Sequence, residues 1–224
     1  MAEAGRKRGI PILVDAAAEL PVLPNPYLSR GADLVGYSGG KFLRGPQCAG
    51  LLLGRKDLVQ AAWLNSSPHH GFGRAMKVGK EEVMGMLTAI EVWRSKVDVK
   101  AEYRQWEDWY AHISKVITQV PGVQTQVKPP AGASPFPVLE LTWDPQQIGM
   151  TAEEVGHQLL EGDPRIMSHG EGPGHSFLIR PVAMKEGEYQ IVAERLYDLF
   201  RRAPKGQPPK PLRPAAVAVA GRWE

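Results

Sequence analysis

The chain has 224 residues, 43% of them hydrophobic and 23% charged, with a formal net charge of +3 and a pI near 9.0. That length and balance suit a soluble globular protein that buries a sizeable core in one large or two small domains. No apolar run reaches the ~18 residues of a membrane span, no basic-then-apolar leader opens the chain, and the single Cys48 excludes an intrachain disulfide or a cysteine metal cluster, so the sequence reads as cytoplasmic.

In chain order, Met1 to Gly9 reads as the end of a helix that enters the apolar strand Ile10-Pro11-Ile12-Leu13-Val14-Asp15. A second strand is expected at about 33–37, a third at 48–53 opened by Cys48 as a buried structural thiol, and a short helix at about 55–63. Residues 65–80 are loop-like, and a long helix begins near Lys80 with Val83, Leu87, Ile90 and Val97 spaced for one buried face, crossing into a second domain. That domain reads as strand (123–127), strand (137–143), a helix opened by the capping box Thr151-Ala152-Glu153-Glu154, strands at 166–168 and 176–179, and a helix at 186–202. Such an alternation predicts an α+β sandwich with helices against an antiparallel or mixed sheet. From Pro204 onward the text is proline-rich and reads as a semi-extended linker or tail.

Two of these elements carry chemistry. An acidic residue at the end of a buried strand, as Asp15 is, can hold a pyridine nitrogen protonated and make the ring an electron sink. The same residue also suits a helix N-cap over Ala16-Ala17-Ala18-Glu19. Lys41 follows 26 positions later (41 − 15 = 26), in the turn Ser38-Gly39-Gly40-Lys41. A lysine desolvated in a small glycine-rich turn is an amine fit to condense with an aldehyde. Asp15 and Lys41 together read as a site for pyridoxal 5′-phosphate (PLP).

The stretches Val14-Asp15-Ala16-Ala17-Ala18-Glu19-Leu20-Pro21, Ser38-Gly39-Gly40-Lys41, Arg44-Gly45-Pro46-Gln47 and Gly73 to Glu82 resemble the fold-type I PLP enzymes of the selenocysteine synthase (L-seryl-tRNA selenium transferase) group. The closer resemblance is to its small-molecule branch, the D-glucosaminate-6-phosphate ammonia-lyase-like proteins. The motifs lie within residues 10–82, with a weaker likeness to about residue 203. The resemblance implies an α/β fold: the C-terminal part of a fold-type I large domain at 1–98, a small α+β domain at 99–203, and a tail at 204–224. It makes Lys41 the Schiff-base lysine, pairs Asp15 with the pyridinium nitrogen, lays Ala17 against the ring, and makes Ser38 a phosphate ligand. Arg44 becomes a phosphate or substrate-anion ligand. In the family the large domain begins well before the strand of Asp15, so its ring-stacking aromatic and glycine-rich phosphate loop have no counterpart to assign here.

Further candidates lie outside those motifs. Arg74, with Lys77 and Lys80, forms a basic run before the long helix that could recruit a phosphorylated substrate or be a solvated loop. Arg180 occupies the region where many fold-type I enzymes grip a substrate carboxylate, and it equally suits a helix-capping or interface role. His69 and His70 sit in a loop and either approach the cofactor or are solvent-exposed, while His157, His169 and His175 lack metal-ligand spacing, so no metal is expected. The basic residues are interspersed with Asp and Glu, which argues against tRNA as substrate. The leading expectation is a PLP-dependent lyase or transferase acting on a small amino-acid or amino-sugar-acid, assembled as a homo-oligomer. Selenium transfer to seryl-tRNA and an inactive fragment with an interaction role are the alternatives.

Overall fold

The computed structural model describes residues 2–131, 135–168 and 174–206; the expected His169 and the bulk of the proline-rich tail lie outside them. The chain divides into two compact units, the first running to Arg104 and including Pro129–Pro137, the second beginning at Gln105 and resuming at Val138. The division falls inside a helix, a few residues beyond the boundary expected at 98.

The first unit contains α1 (Ala2–Arg8), β1 (Leu13–Asp15), α2 (Pro26–Ser29), β2 (Leu34–Ser38), β3 (Gly50–Gly54), α3 (Lys56–Leu64) and α4 (Lys80–Lys96). Its sheet has the order β1-β2-β3. β1 and β2 are parallel, with Asp15 opposite Gly36, and β2 and β3 are antiparallel. A parallel pair needs a crossover, supplied by residues 16–33, whereas the antiparallel pair needs only the loop 39–49 that carries Lys41. The alternation of β2 buries Val35 and Tyr37 on one face, where Ala16, Leu43 and Met86 complete a small core. The other face carries Leu13, Asp15, Gly36 and Ser38; Leu13 is 61% exposed there.

Two expectations for this unit are corrected. Cys48 is exposed, because β3 begins only at Gly50 and the preceding residues form the loop. On α4 the buried stripe is Met86 with Ile90 and Trp93 packed beside it, while Val83 and Leu87 stay 54% and 48% exposed. Periodicity admits either stripe, and Met86 is selected because it meets the loop 39–49.

The second unit is built on α5 (Val99–Ile117), a helix that the sequence reading did not resolve; α4 stops at Lys96 and α5 continues the chain toward the second unit. Trp106, Trp109, Tyr110, Ile113 and Ile117 form its buried stripe at helical spacing. Strands β4 (Val123–Lys128), β5 (Val138–Trp143) and β6 (Ser176–Ile179) make an antiparallel sheet in that order. Its apolar face, with Leu139, Leu141, Phe177 and Ile179, packs with α5, α6 (Ala152–Glu161) and α7 (Glu188–Arg202) in one large core. The Tyr110 hydroxyl donates to the Ile179 carbonyl at 2.9 Å, and burial pushes that phenol well above its ordinary range. Thr151 and Glu154 form the expected reciprocal capping box at the start of α6.

The strand expected at 166–168 is absent: those residues are irregular, and Ile166 joins the core after donating its N–H to the Leu159 carbonyl at 2.9 Å. Ile113 is fully buried. Ile113→Ala is therefore expected to cost about 2–5 kcal/mol, whereas Val83→Ala on the exposed stripe changes stability by less than about 0.5 kcal/mol. Urea unfolding of the two variants checks both values.

Candidate cofactor site

Three of the expected site residues belong to one end of one sheet. Asp15 closes β1, Ser38 closes the adjacent parallel β2, and Lys41 lies three residues further along, in the loop joining β2 to β3. The parallel pairing is the reason for this meeting, since it brings both C-terminal strand ends to the same edge of the sheet. A side-chain carbon added at Gly36 would meet nothing within 4 Å, so the strip of sheet beside Asp15 is open. Asp15 is exposed, and its Oδ1 accepts the Ala17 N–H at 3.0 Å. The Ala16 N–H donates to the Gly36 carbonyl at 2.9 Å and ties the segment after Asp15 to β2. The N-cap reading of Asp15 is not realised, because residues 16–25 are irregular and the next helix starts at Pro26.

The loop of Lys41 is held by its own backbone. The Gly39 N–H donates to the Ala49 carbonyl at 2.9 Å, Gly45 to the Gly39 carbonyl at 2.8 Å, and Arg44 to the Lys41 carbonyl at 3.0 Å. A side-chain carbon at Gly39 would lie 2.7 Å from both the Ala49 oxygen and the Met86 sulfur, so glycine is required there for close approach. Lys41 itself is exposed, and among the described residues no ion pair reaches it. The desolvated lysine expected from the sequence is thus not produced by these residues: the turn's glycines admit backbone and Met86 rather than enclosing the ammonium.

Arg44 adopts φ 57°, a left-handed conformation uncommon outside glycine. Its Nη2 donates to both carboxylate oxygens of Glu102 at 2.8 Å. An anion at this position would compete with Glu102 for the guanidinium. Arg74 opens a short 3-10 turn, is exposed, and donates to the Pro68 carbonyl at 2.8 Å and to Ser67 Oγ at 3.3 Å, which braces the loop before α4. His70 is exposed; His69 packs edge-on against Trp63 with centroids 4.4 Å apart. Arg180 lies in the second unit, just after β6, where it lines a cleft of about 420 Å³ with Arg165, Ser168, Val182 and Ile191. Among the described residues no group of three His, Cys, Asp or Glu could hold a metal ion. No helix of the described residues is long and apolar enough to cross a membrane.

The residues present fit PLP. They provide an accessible amine at Lys41, a carboxylate at Asp15 with one oxygen engaged by its own segment, the Ser38 hydroxyl, and open space over Gly36 beside Asp15. Two contributions escaped the sequence reading: Met86, which supports the Lys41 loop from α4, and Glu102, which holds Arg44. Met86 was legible only as one of several apolar residues on a helix, and Glu102 carried no local signal.

No protein-family profile matches the chain. It is 27% identical over 196 residues to D-glucosaminate-6-phosphate ammonia lyase of Salmonella typhimurium, covering 87% of this chain and 50% of that protein. A solved structure of D-glucosaminate-6-phosphate ammonia-lyase superposes with a TM-score of 0.67 at 26% identity, covering 90% of this chain and 52% of the other. A Streptomyces 5′-C-glycyluridine monooxygenase-decarboxylase is 33% identical over 163 residues, covering 72% of this chain and 39% of that protein. An L-seryl-tRNA(Sec) selenium transferase of Moorella thermoacetica is 25% identical over 219 residues, covering 84% and 45%. The fold is therefore an α/β arrangement that matches part of a fold-type I PLP enzyme. The chain is a relative of the fold-type I PLP enzymes that include the selenium transferases and D-glucosaminate-6-phosphate ammonia-lyase, and it spans about half the length of these relatives.

The Arg44–Glu102 pair makes the anion role of Arg44 testable. An exposed ion pair contributes only about 0.2–1 kcal/mol, so Glu102→Ala is expected to raise affinity for inorganic phosphate by roughly 1.4- to fivefold. Phosphate titration by calorimetry reads this out, and an unchanged affinity removes Arg44 from the anion site.

Proposed function

We propose that this chain carries the lysine-bearing part of a PLP site in a cytoplasmic lyase or transferase acting on a small amino-acid or amino-sugar-acid. The supporting observation is the arrival of Asp15, Ser38 and Lys41 at one end of a parallel strand pair beside the open strip at Gly36. PLP, when bound, supplies an electron sink for negative charge developing at a substrate carbon. Lys41 Nζ would hold the cofactor covalently and, once displaced by the substrate amine, move the proton at the substrate α carbon. The Asp15 carboxylate would keep a proton on the ring nitrogen, Ala17 would offer a small side chain against the ring, and Ser38 Oγ would donate to the phosphate. Arg44, released from Glu102, would add a charged donor to that phosphate or to a substrate anion. Arg74 and Arg180 are the proposed substrate-anion contacts.

Small-molecule chemistry is favoured over tRNA because two of the relatives are named for small-molecule substrates, and because the basic residues here are interspersed with acidic ones. A second reading, an inactive module that retains the fold, is favoured by one observation: Lys41 is left exposed by the residues around it. The two readings separate by borohydride reduction after incubation with PLP, followed by peptide mapping. The adduct is expected on Lys41 in preference to the exposed Lys56, Lys77 and Lys80. Lys41→Ala should abolish it while changing stability by less than about 0.5 kcal/mol, as is usual at an exposed position. An adduct spread evenly over surface lysines would sink the cofactor reading.

Association between copies belongs to the same proposal. Leu13, Leu23, Met84 and Phe72 are 61%, 74%, 60% and 101% exposed and are the apolar side chains a second copy would cover. Light scattering is expected to show a mass of at least two chains, and a monodisperse 24.6 kDa species would overturn it.

A further inference from the structure

Residues 16–25, which follow Asp15 directly, form no helix or strand. An irregular segment of this length has many conformations open to it, so the position of Asp15 depends on what pins the segment down. Its near end is tied by the Ala16 N–H to β2, and its middle by Trp93 Nε1, which donates to the Pro21 carbonyl at 3.1 Å. The Tyr27 hydroxyl donates to the Glu19 carboxylate, and this bond raises the phenol to about 12. Its far end is Asn25, only 6% exposed and the N-cap of α2.

Asn25 does more than its cap requires. Its Oδ1 accepts the Tyr27 and Leu28 N–H groups, both at 3.1 Å, which satisfies the first turn of α2. Serine, threonine or aspartate would cap as well from an exposed position. Asn25 is instead buried, and its Nδ2 donates to the Tyr37 hydroxyl at 2.9 Å. Tyr37 is itself 4% exposed, one residue before Ser38 on the strand that leads to Lys41. The amide thus joins the segment leaving Asp15 to the strand entering the Lys41 loop, accepting from the helix through Oδ1 while donating to the phenol through Nδ2.

We propose that Asn25 and Tyr37 are a positioning pair that sets the Asp15 segment against the strand carrying Ser38 and Lys41. The assignment rests on Asp15 and Lys41 serving the proposed PLP site. Neither residue touches the cofactor; both act through Asp15.

Asn25→Ser keeps a capping oxygen and loses the donor to Tyr37, while Tyr37→Phe loses the acceptor and keeps the ring. Hydrogen exchange on the full chain without cofactor reports the segment directly, because the Ala16 and Ala17 amides are both hydrogen-bonded. Each variant should accelerate exchange at these two amides about fivefold beyond any change at β3 amides, the factor one neutral hydrogen bond is worth. The double variant should go no further, since one bond is removed twice. PLP affinity, titrated by absorbance, should fall about fivefold in Asn25→Ser by the same conversion. Exchange at Ala16 and Ala17 that only keeps pace with β3 would overturn the pairing. So would unchanged PLP affinity in Asn25→Ser when Asp15→Asn binds PLP more weakly. If Asp15→Asn leaves PLP binding intact while the exchange result holds, the pair stands as the anchor of the segment and the cofactor reading fails instead.

Discussion

The contact between Gly39 and Met86 is the constraint on which the first unit turns. With no side chain at Gly39, the Met86 sulfur and the Ala49 and Pro46 carbonyls all close on the same point, where an added carbon would lie 2.7 to 2.8 Å from each. Van der Waals packing of this kind is weak atom by atom and decisive in sum, because a shifted loop would forfeit all of it together. It seats α4 on the loop 39–49, and that seating selects Met86, Ile90 and Trp93 as the buried stripe. In the same loop Arg44 takes a left-handed backbone and pairs with Glu102. Lys41 projects from a loop whose backbone is held at both ends, so a flexible side chain stands on a rigid support.

The two units solve the burial problem differently. In the second, an antiparallel sheet with one apolar face is matched by the stripes of α5, α6 and α7, and the polar face is finished by the ion pair of Lys128 with Glu140 at 2.7 Å. The Lys128 bond holds the Glu140 carboxyl below its usual range, a modest effect at a largely solvated position. The first unit covers only the Val35 and Tyr37 face of its sheet. Its other face carries Asp15, Gly36 and Ser38 beside the exposed Leu13. The candidate residues Asp15 and Ser38 are thus among those that the core does not consume.

Polar groups on the core face organise the segment that follows Asp15. Asn25, Tyr37, Tyr27 and Glu19 form hydrogen bonds beneath an irregular segment, while burial raises Tyr37 above the ordinary 10.0 for a phenol. Satisfied polar groups of this sort define one geometry, since each alternative leaves a buried donor or acceptor unmatched. A segment lacking regular structure thereby acquires a definite path between Asp15 and α2.

Local pattern by itself determined the strand cores at 13–15, 34–38 and 50–53, the capping box at Thr151, the Ser-Gly-Gly-Lys turn and the pairing of Asp15 with Lys41 as candidates. Each of these depends on neighbours in sequence, through turn chemistry or alternation, and is legible for that reason. The aromatic stripe Trp106, Trp109, Tyr110, Ile113 was written at helical spacing and could have been found, and Asp98, whose carboxylate accepts the Ala101 N–H at 3.1 Å, is a cap signal at its start. Other features had no local cause. Whether 166–168 would pair as a strand, whether α4 would bury Val83 or Met86, whether Cys48 would be inside, and whether Arg44 would face an anion or Glu102 were decided by partners distant in sequence. The sequence supplied the chemical groups and the periods. Tertiary structure alone decided which faces met, because burial is a property of two surfaces and a single stretch of chain specifies only one of them.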